Sequence, residues 1–281
     1  MTTATMRRHL PKELTSYDLL KSLALILMIC DHVGYFFYPE EMWFRTLGRL
    51  CLPIWFFLIG YARTSAVPWS FWVGGGIVLA VSMIAGRFLL PLNILFTMAF
   101  LRIYRDWVVR HGLASAEALR GMFFILLLLF FPSEILVEYG SLAMLIVVVG
   151  FIARRKEAVY KLIERKYVLI YVAAAFFSMY FIVGIKMPSL SNAQALVLTV
   201  GYPALGFLLW RFKPMVFEGA RRYMAGSFIG LFKFMGRWTL EIYVAHIVIF
   251  QGLAFYFYPE RYQFGAWQFV NSSAVAIFGV G

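Results

Sequence analysis

The chain is built from long apolar runs separated by short polar segments. Windows of about 20 apolar residues, the length that crosses a ~30 Å hydrocarbon core, fall at 19–38, 50–66, 69–86, 88–104, 119–137, 139–153, 167–185, 194–211 and 239–258. A tenth run, 264–280, is uncharged from Phe264 onwards and stops at Gly281. Pro91 and Asn93 interrupt the fourth window and Arg102 closes it. The runs are continuous and about twice the ~10 residues of an outer-membrane strand, so they predict helices. The expectation is an all-α, polytopic transmembrane helical bundle of nine or ten spans. No fixed-period repeat and no Pro- or Ser-rich linker breaks it, so residues 1–281 read as one domain. Residues 214–236 intermix apolar and basic side chains, which predicts an interfacial amphipathic helix on the cytoplasmic face.

Composition agrees with the pattern. The chain is 62% hydrophobic and 14% charged, against about 45–50% and ~25% for soluble domains. A net charge of +12 raises the question of nucleic acid, but the basic residues stand in blocks between apolar runs. With the N-terminus inside, 21 of the 26 Lys and Arg residues fall on the cytoplasmic side, as the positive-inside rule requires. The expected partner is therefore the lipid bilayer, not nucleic acid. Residues 1–17 read as a retained cytoplasmic tail of a chain that crosses its membrane many times. Cys30 and Cys51 lie within apolar runs as small buried hydrophobes, and no metal-ligand spacing accompanies them.

Against this apolar background a few ionisable residues stand out. Asp31 and His32 lie inside the first run, about 18 Å deep at ~1.5 Å per residue. An Asp at a helix centre costs at least roughly 2.5–3.5 kcal/mol on insertion scales, which makes it a functional candidate by default. Neighbours on a helix point about 100° apart, so the two side chains cannot share one face: either one faces the bundle and the other an adjacent helix, or both line a wide cavity. Arg45 and Arg49 follow at the mouth of the second run, as candidate partners for a carboxylate, after a turn closed by Pro39 and loosened by Gly48. Arg49, Pro53, Phe56 and Gly60 share a helix face at spacings 4, 3, 4. Asn93 is a candidate cap or substrate contact, and Glu138 with Tyr139 opens a later run, where a helix N-terminus tolerates a carboxylate. In the last full run Thr239, Tyr243, His246 and Phe250 share a face, with Arg237 and Glu241 as an i,i+4 couple. His246 stands about 10 Å deep.

No nucleophile elbow, zinc-protease motif, P-loop or dinucleotide fingerprint is present. The remaining set of buried His, Asp and Glu with Arg at both faces suits general-base acyl transfer. In that chemistry a His deprotonates an acceptor amine or hydroxyl and a carboxylate fixes its tautomer.

Four blocks in order, KSLALILMICDHVGYFF, LGRLCLPIWFFLIGYA, NILFTMAF and EYGSLAMLIVVVG, resemble the TraX family of inner-membrane conjugation proteins. The most specific part is Lys21, Met28, Asp31, His32, Gly48, Arg49 and Pro53, and GRWTLEIYVAH looks like the final-helix motif of TraX-like and other membrane acyltransferases. The best-known member acetylates the amino terminus of F-type pilin from acetyl-CoA. The resemblance therefore implies N-acylation of a small pilin, with acetyl-CoA as co-substrate. It nominates Asp31, His32, Arg49 and the Glu138-Tyr139-Gly140 block for catalysis, with Glu138 where many relatives carry Asp. His246 joins the catalytic candidates. Arg45, Asn93, Tyr139, Tyr243 and Glu241 are the expected substrate contacts, and Arg102 and Arg105 are expected to steer the acyl donor. Joining pilin ends head to tail, with no cofactor, is the alternative chemistry, and proton-coupled transport through Asp31 and His246 is the non-enzymatic one.

Overall fold

The computed structural model describes residues 11–187, 189–262, 265–266 and 268–270. The first helix, α1 (Ser16–Phe36), starts because Thr15 and Asp18 cap each other: the Asp18 N–H donates to the Thr15 hydroxyl oxygen, and the Thr15 N–H donates to Asp18 at 3.0 Å. That reciprocal box satisfies two of the four donors a helix start leaves free. A second box, Ser191 with Gln194, opens α11 (Asn192–Arg211).

Two short helices make the centre. α3 (Cys51–Tyr61) and α8 (Leu142–Arg154) are apolar all round, and 11 of the 13 residues of α8 are buried. A helix apolar on every side belongs in the middle of a bundle. Glycines bring the two axes together: a Cβ at Gly60 would stand 1.8 Å from the Val147 carbonyl oxygen, and one at Gly150 would stand 2.2 Å from that of Phe57. Only hydrogen fits at either position.

Around this pair lie α1, α2 (Met42–Gly48), α4 (Trp69–Ile84), α5 (Ile94–Gly112), α6 (Ala116–Leu128), α7 (Phe130–Leu136), the short α9 (Lys156–Tyr160), α10 (Arg165–Ile185), α11, α12 (Gly226–Arg237) and α13 (Thr239–Phe257). Phe177 and Phe181 on α10 and Leu196, Val200 and Phe207 on α11 face outward, exposed. A rim this apolar is what lipid covers, and the chain is a membrane protein. Two short strands, β1 (Phe88–Leu90) and β2 (Gln268–Val270), pair in parallel with Phe88 opposite Gln268, a small addition to the expected all-α architecture.

Among the described residues, five helical stretches are long and apolar enough to cross a bilayer: Ser16–Phe36, Met42–Tyr61, Arg165–Ile185, Asn192–Arg211 and Thr239–Phe257. A sixth forms if α6 and α7, bent by 52°, are one span. The hydropathy windows predicted nine or ten. The difference has physical causes: α4 has 16 residues and α8 has 13, short of a bilayer core, while α5 carries Arg102, Arg105, Asp106 and Arg110. The span expected at 264–280 lies outside the described residues apart from 265–266 and β2, and so do residues 1–10 of the expected tail. Within 214–236 the chain makes a 3₁₀ turn (Ala220–Arg222) and then α12. This helix sets Gly236 against the Asp18 backbone and leaves Phe228, Leu231 and Phe234 exposed.

Candidate functional site

Four segments bring the candidate residues together: the second half of α1, the α2–α3 junction, the turn between α7 and α8, and the first half of α13. Of the two arrangements open to the adjacent residues Asp31 and His32, the structure shows each facing its own partners. Asp31, buried, looks toward α2 and α3, and His32 looks toward α13.

Gly48 sets the Asp31 side. A Cβ at Gly48 would stand 2.3 Å from the Asp31 Cβ and 2.5 Å from its Cα. The bare glycine therefore lets the end of α2 press directly onto α1 at the acidic residue. Arg45 and Arg49, one turn apart, flank the contact. Arg45 Nη1 lies 3.3 Å from Asp31 Oδ2, and Arg49 Nε lies 3.5 Å from Oδ1. The Arg49 backbone is itself held, since the Tyr202 hydroxyl donates to its carbonyl oxygen at 3.2 Å.

Arg49 Nη1 also donates to the Tyr139 hydroxyl oxygen. Tyr139 has φ of 65°, followed by Gly140 at 43°, and a left-handed conformation at a bulky residue is an outlier that surrounding contacts must hold. They do: the Glu138 N–H donates to the Leu92 carbonyl at 3.1 Å, and the Thr97 hydroxyl donates to that of Glu138 at 3.0 Å. The Tyr139 ring packs on Phe56, with centroids 5.8 Å apart, which places the Arg49–Phe56–Gly60 face where its spacing predicts. Glu138 sits in the same turn, and burial pushes its carboxyl up to about 7 although Arg49 pulls it down.

On the other side His32 Nδ1 and His246 Nε2 are 2.7 Å apart, and His246 Nδ1 is 2.9 Å from the Ile242 carbonyl oxygen. A carbonyl only accepts, so His246 Nδ1 carries the proton toward it. With both rings neutral, His246 Nε2 is then bare and accepts from His32 Nδ1–H. The network leaves His32 Nε2 as the open lone pair of the pair. The rings are nearly parallel at 27°, and Tyr243, Phe36 and Phe250 enclose them. The sequence expectation of a carboxylate fixing the tautomer is corrected here: a second histidine and a main-chain carbonyl hold it.

Other candidates are placed elsewhere. Asn93 caps α5, accepting from the Leu95 N–H at 3.2 Å and donating to the Gly75 carbonyl at 2.9 Å. Glu241 stands exposed at the first turn of α13, and Arg237 pairs with Asp18 at 3.2 Å. Arg102 donates to the carbonyls of Thr64 and Ala66. Arg105, 2% exposed, donates to those of Ile59, Ala62 and Thr64. Sequence reasoning missed Tyr202, the Ile242 carbonyl, and Lys186, which pairs with Glu134 and lies 5.0 Å over the Tyr139 ring. Helical spacing from His246 could have found Ile242; nothing local marked the other two.

The family model described as TraX protein matches residues 16–254. The chain is also similar to an uncharacterized protein of Rickettsia prowazekii (strain Madrid E), 31% identical over a 157-residue alignment that covers 53% of this chain and 60% of that protein. The chain therefore spans less than two thirds of that relative's length. No solved structure matches it.

Proposed function

This chain belongs to the TraX protein family, and from that premise we propose that it is a membrane-embedded, pilin-modifying acyltransferase. It acts in the bacterial inner membrane with its N-terminus in the cytoplasm and α12 lying along the cytoplasmic interface. The observation that carries the reading is the 2.7 Å His32–His246 contact beside the Asp31–Arg45–Arg49–Tyr139 cluster. His32 Nε2 takes a proton from the acceptor amine as it attacks an acyl carbonyl. The imidazolium that results keeps every hydrogen bond of the pair, because Nε2 is the one ring nitrogen outside the network. That same proton then goes to the leaving group. Arg49 and the Tyr139 hydroxyl stand by for the developing oxyanion, and general-base assistance of this kind is worth about 10²–10⁴ in rate.

Acetyl-CoA is the donor we propose, by analogy with the family resemblance. Arg102 and Arg105 do not fit the role of gripping it, because main-chain carbonyls already occupy their guanidinium groups and Arg105 is buried. The proposal therefore places no donor on them. A second reading, joining pilin termini head to tail, is favoured by one feature: the arginine pair provides cationic donors beside the base, as a substrate carboxyl end requires. Intact-mass spectrometry of pilin made with and without this protein tests both. A gain of one acetyl group supports acylation and a loss of one water supports cyclisation. An unchanged mass contradicts both.

A further inference from the structure

Asp31 sits in an unbalanced charge pattern. Two guanidinium groups converge on this one buried carboxylate, yet neither closes the two-pronged fork that arginine forms with a carboxylate partner. Arg45 touches Oδ2 with one nitrogen at 3.3 Å, and Arg49 approaches Oδ1 at 3.5 Å without hydrogen-bond geometry, so that Oδ1 is buried with no hydrogen bond. The remaining attachments are also single-ended: Arg49 Nη1 reaches the Tyr139 hydroxyl, and Arg45 lies 5.1 Å over the Tyr35 ring. Nearby charges do not restore the balance. Lys186 is held by Glu134, and burial pushes the Glu138 carboxyl up, against its charged form. The adjacent N-terminus of α3 adds partial positive charge. Both arginine side chains keep an open edge, 17% and 16% exposed.

We propose that Arg45 and Arg49 form a carboxylate-binding subsite, in which a free carboxylate on the acceptor lies across both guanidinium groups while its amine reaches His32 Nε2. A planar monoanion matches one unit of excess charge and two planar forks one helical turn apart. The placement beside His32 rests on the amide-forming reading above; binding itself needs no reaction.

The test is calorimetric titration of the full chain in detergent with the peptide acetyl-Ala-Val-Ala-Ala, as free acid and as C-terminal amide. The free acid is expected to bind at least about tenfold tighter, the value of a charge-assisted hydrogen bond or two. Arg45→Gln and Arg49→Gln each remove most of that preference, while His32→Gln leaves it intact. Arg49→Lys keeps the charge, folds, and loses about half of the preference on a logarithmic scale because the fork is gone. Equal affinity for acid and amide overturns the proposal, as does a preference that survives in the Arg45→Gln/Arg49→Gln double variant. Displacement by phosphatidylglycerol without any acid preference assigns the pair to a lipid phosphate and also overturns it. Acid preference with an unchanged pilin mass leaves the subsite standing and refutes the amide-forming reading. A modified pilin without acid preference does the reverse.

Discussion

Helix α3 is flanked by arginines at both ends, and the two groups do opposite things. At its C-terminal end Arg105 and Arg154 donate to the carbonyls of Ile59 and Ala62, and Arg105 and Arg102 to those of the loop that follows. A cation there meets the negative end of the helix dipole and fills acceptors that would otherwise be unpaired. At its N-terminal end Arg49 and Arg45 run against the dipole, share one carboxylate and keep an open edge. Identical side chains thus cap one end and, in the proposed function, belong to the reactive cluster at the other. Their hydrogen-bond partners, not their chemistry, separate the two roles.

The largest expected effect strikes the axis both ends rest on. Gly60→Val drives a branched side chain into the Val147 backbone, and no folded protein should accumulate in the membrane. Normal accumulation would show that α3 and α8 are not locked together. Next, Arg105→Ala strips donors from three carbonyls at once, and should cost on the order of 3 kcal/mol of stability. Activity should fall only as far as the folded fraction does. A lowered melting temperature in detergent checks the first statement and specific activity the second.

At the other end the ranking reverses. Arg49→Gln should cost less stability than Arg105→Ala, since it relieves an unfavourable dipole contact and leaves Arg45 on Asp31, while losing one ion pair and the Tyr139 hydrogen bond. Its activity should nevertheless fall at least about tenfold. A variant as unstable as Arg105→Ala would erase the contrast between the ends. The smallest effect concerns pH. An acid whose carboxyl is pushed up to about 7 in the fold, from an ordinary value near 4.5, favours the folded state when protonated. Its stabilising share is complete below the unfolded value and fades as pH rises through 7. The wild type should therefore lose melting temperature relative to Glu138→Gln between pH 5 and 8, and parallel curves would remove burial as the cause.

Much of this contrast was legible in the chain. The cost of Asp31 and His32 in an apolar run marked them, and the 4, 3, 4 spacings put Arg49 with Phe56 and His246 with Tyr243 on their correct faces. The span count did not follow, because hydropathy measures apolarity and not whether lipid or protein does the covering: buried α8 reads like a lipid-facing helix. Arg102 and Arg105 were expected to steer the acyl donor because they fall on the cytoplasmic side, and in sequence a cation there looks the same whether carbonyls or a ligand fill it. The pairing of His32 with His246 joins residues more than 200 positions apart, and the glycine that presses α2 onto Asp31 acts only once those helices meet.

The most direct measurement is the intact mass of pilin co-expressed with wild-type protein or with His32→Gln, both confirmed at equal level and melting temperature. The account predicts that the mass shift seen with the wild type is lost, or reduced at least about 100-fold in rate, with His32→Gln. A shift of undiminished rate in that variant would contradict it.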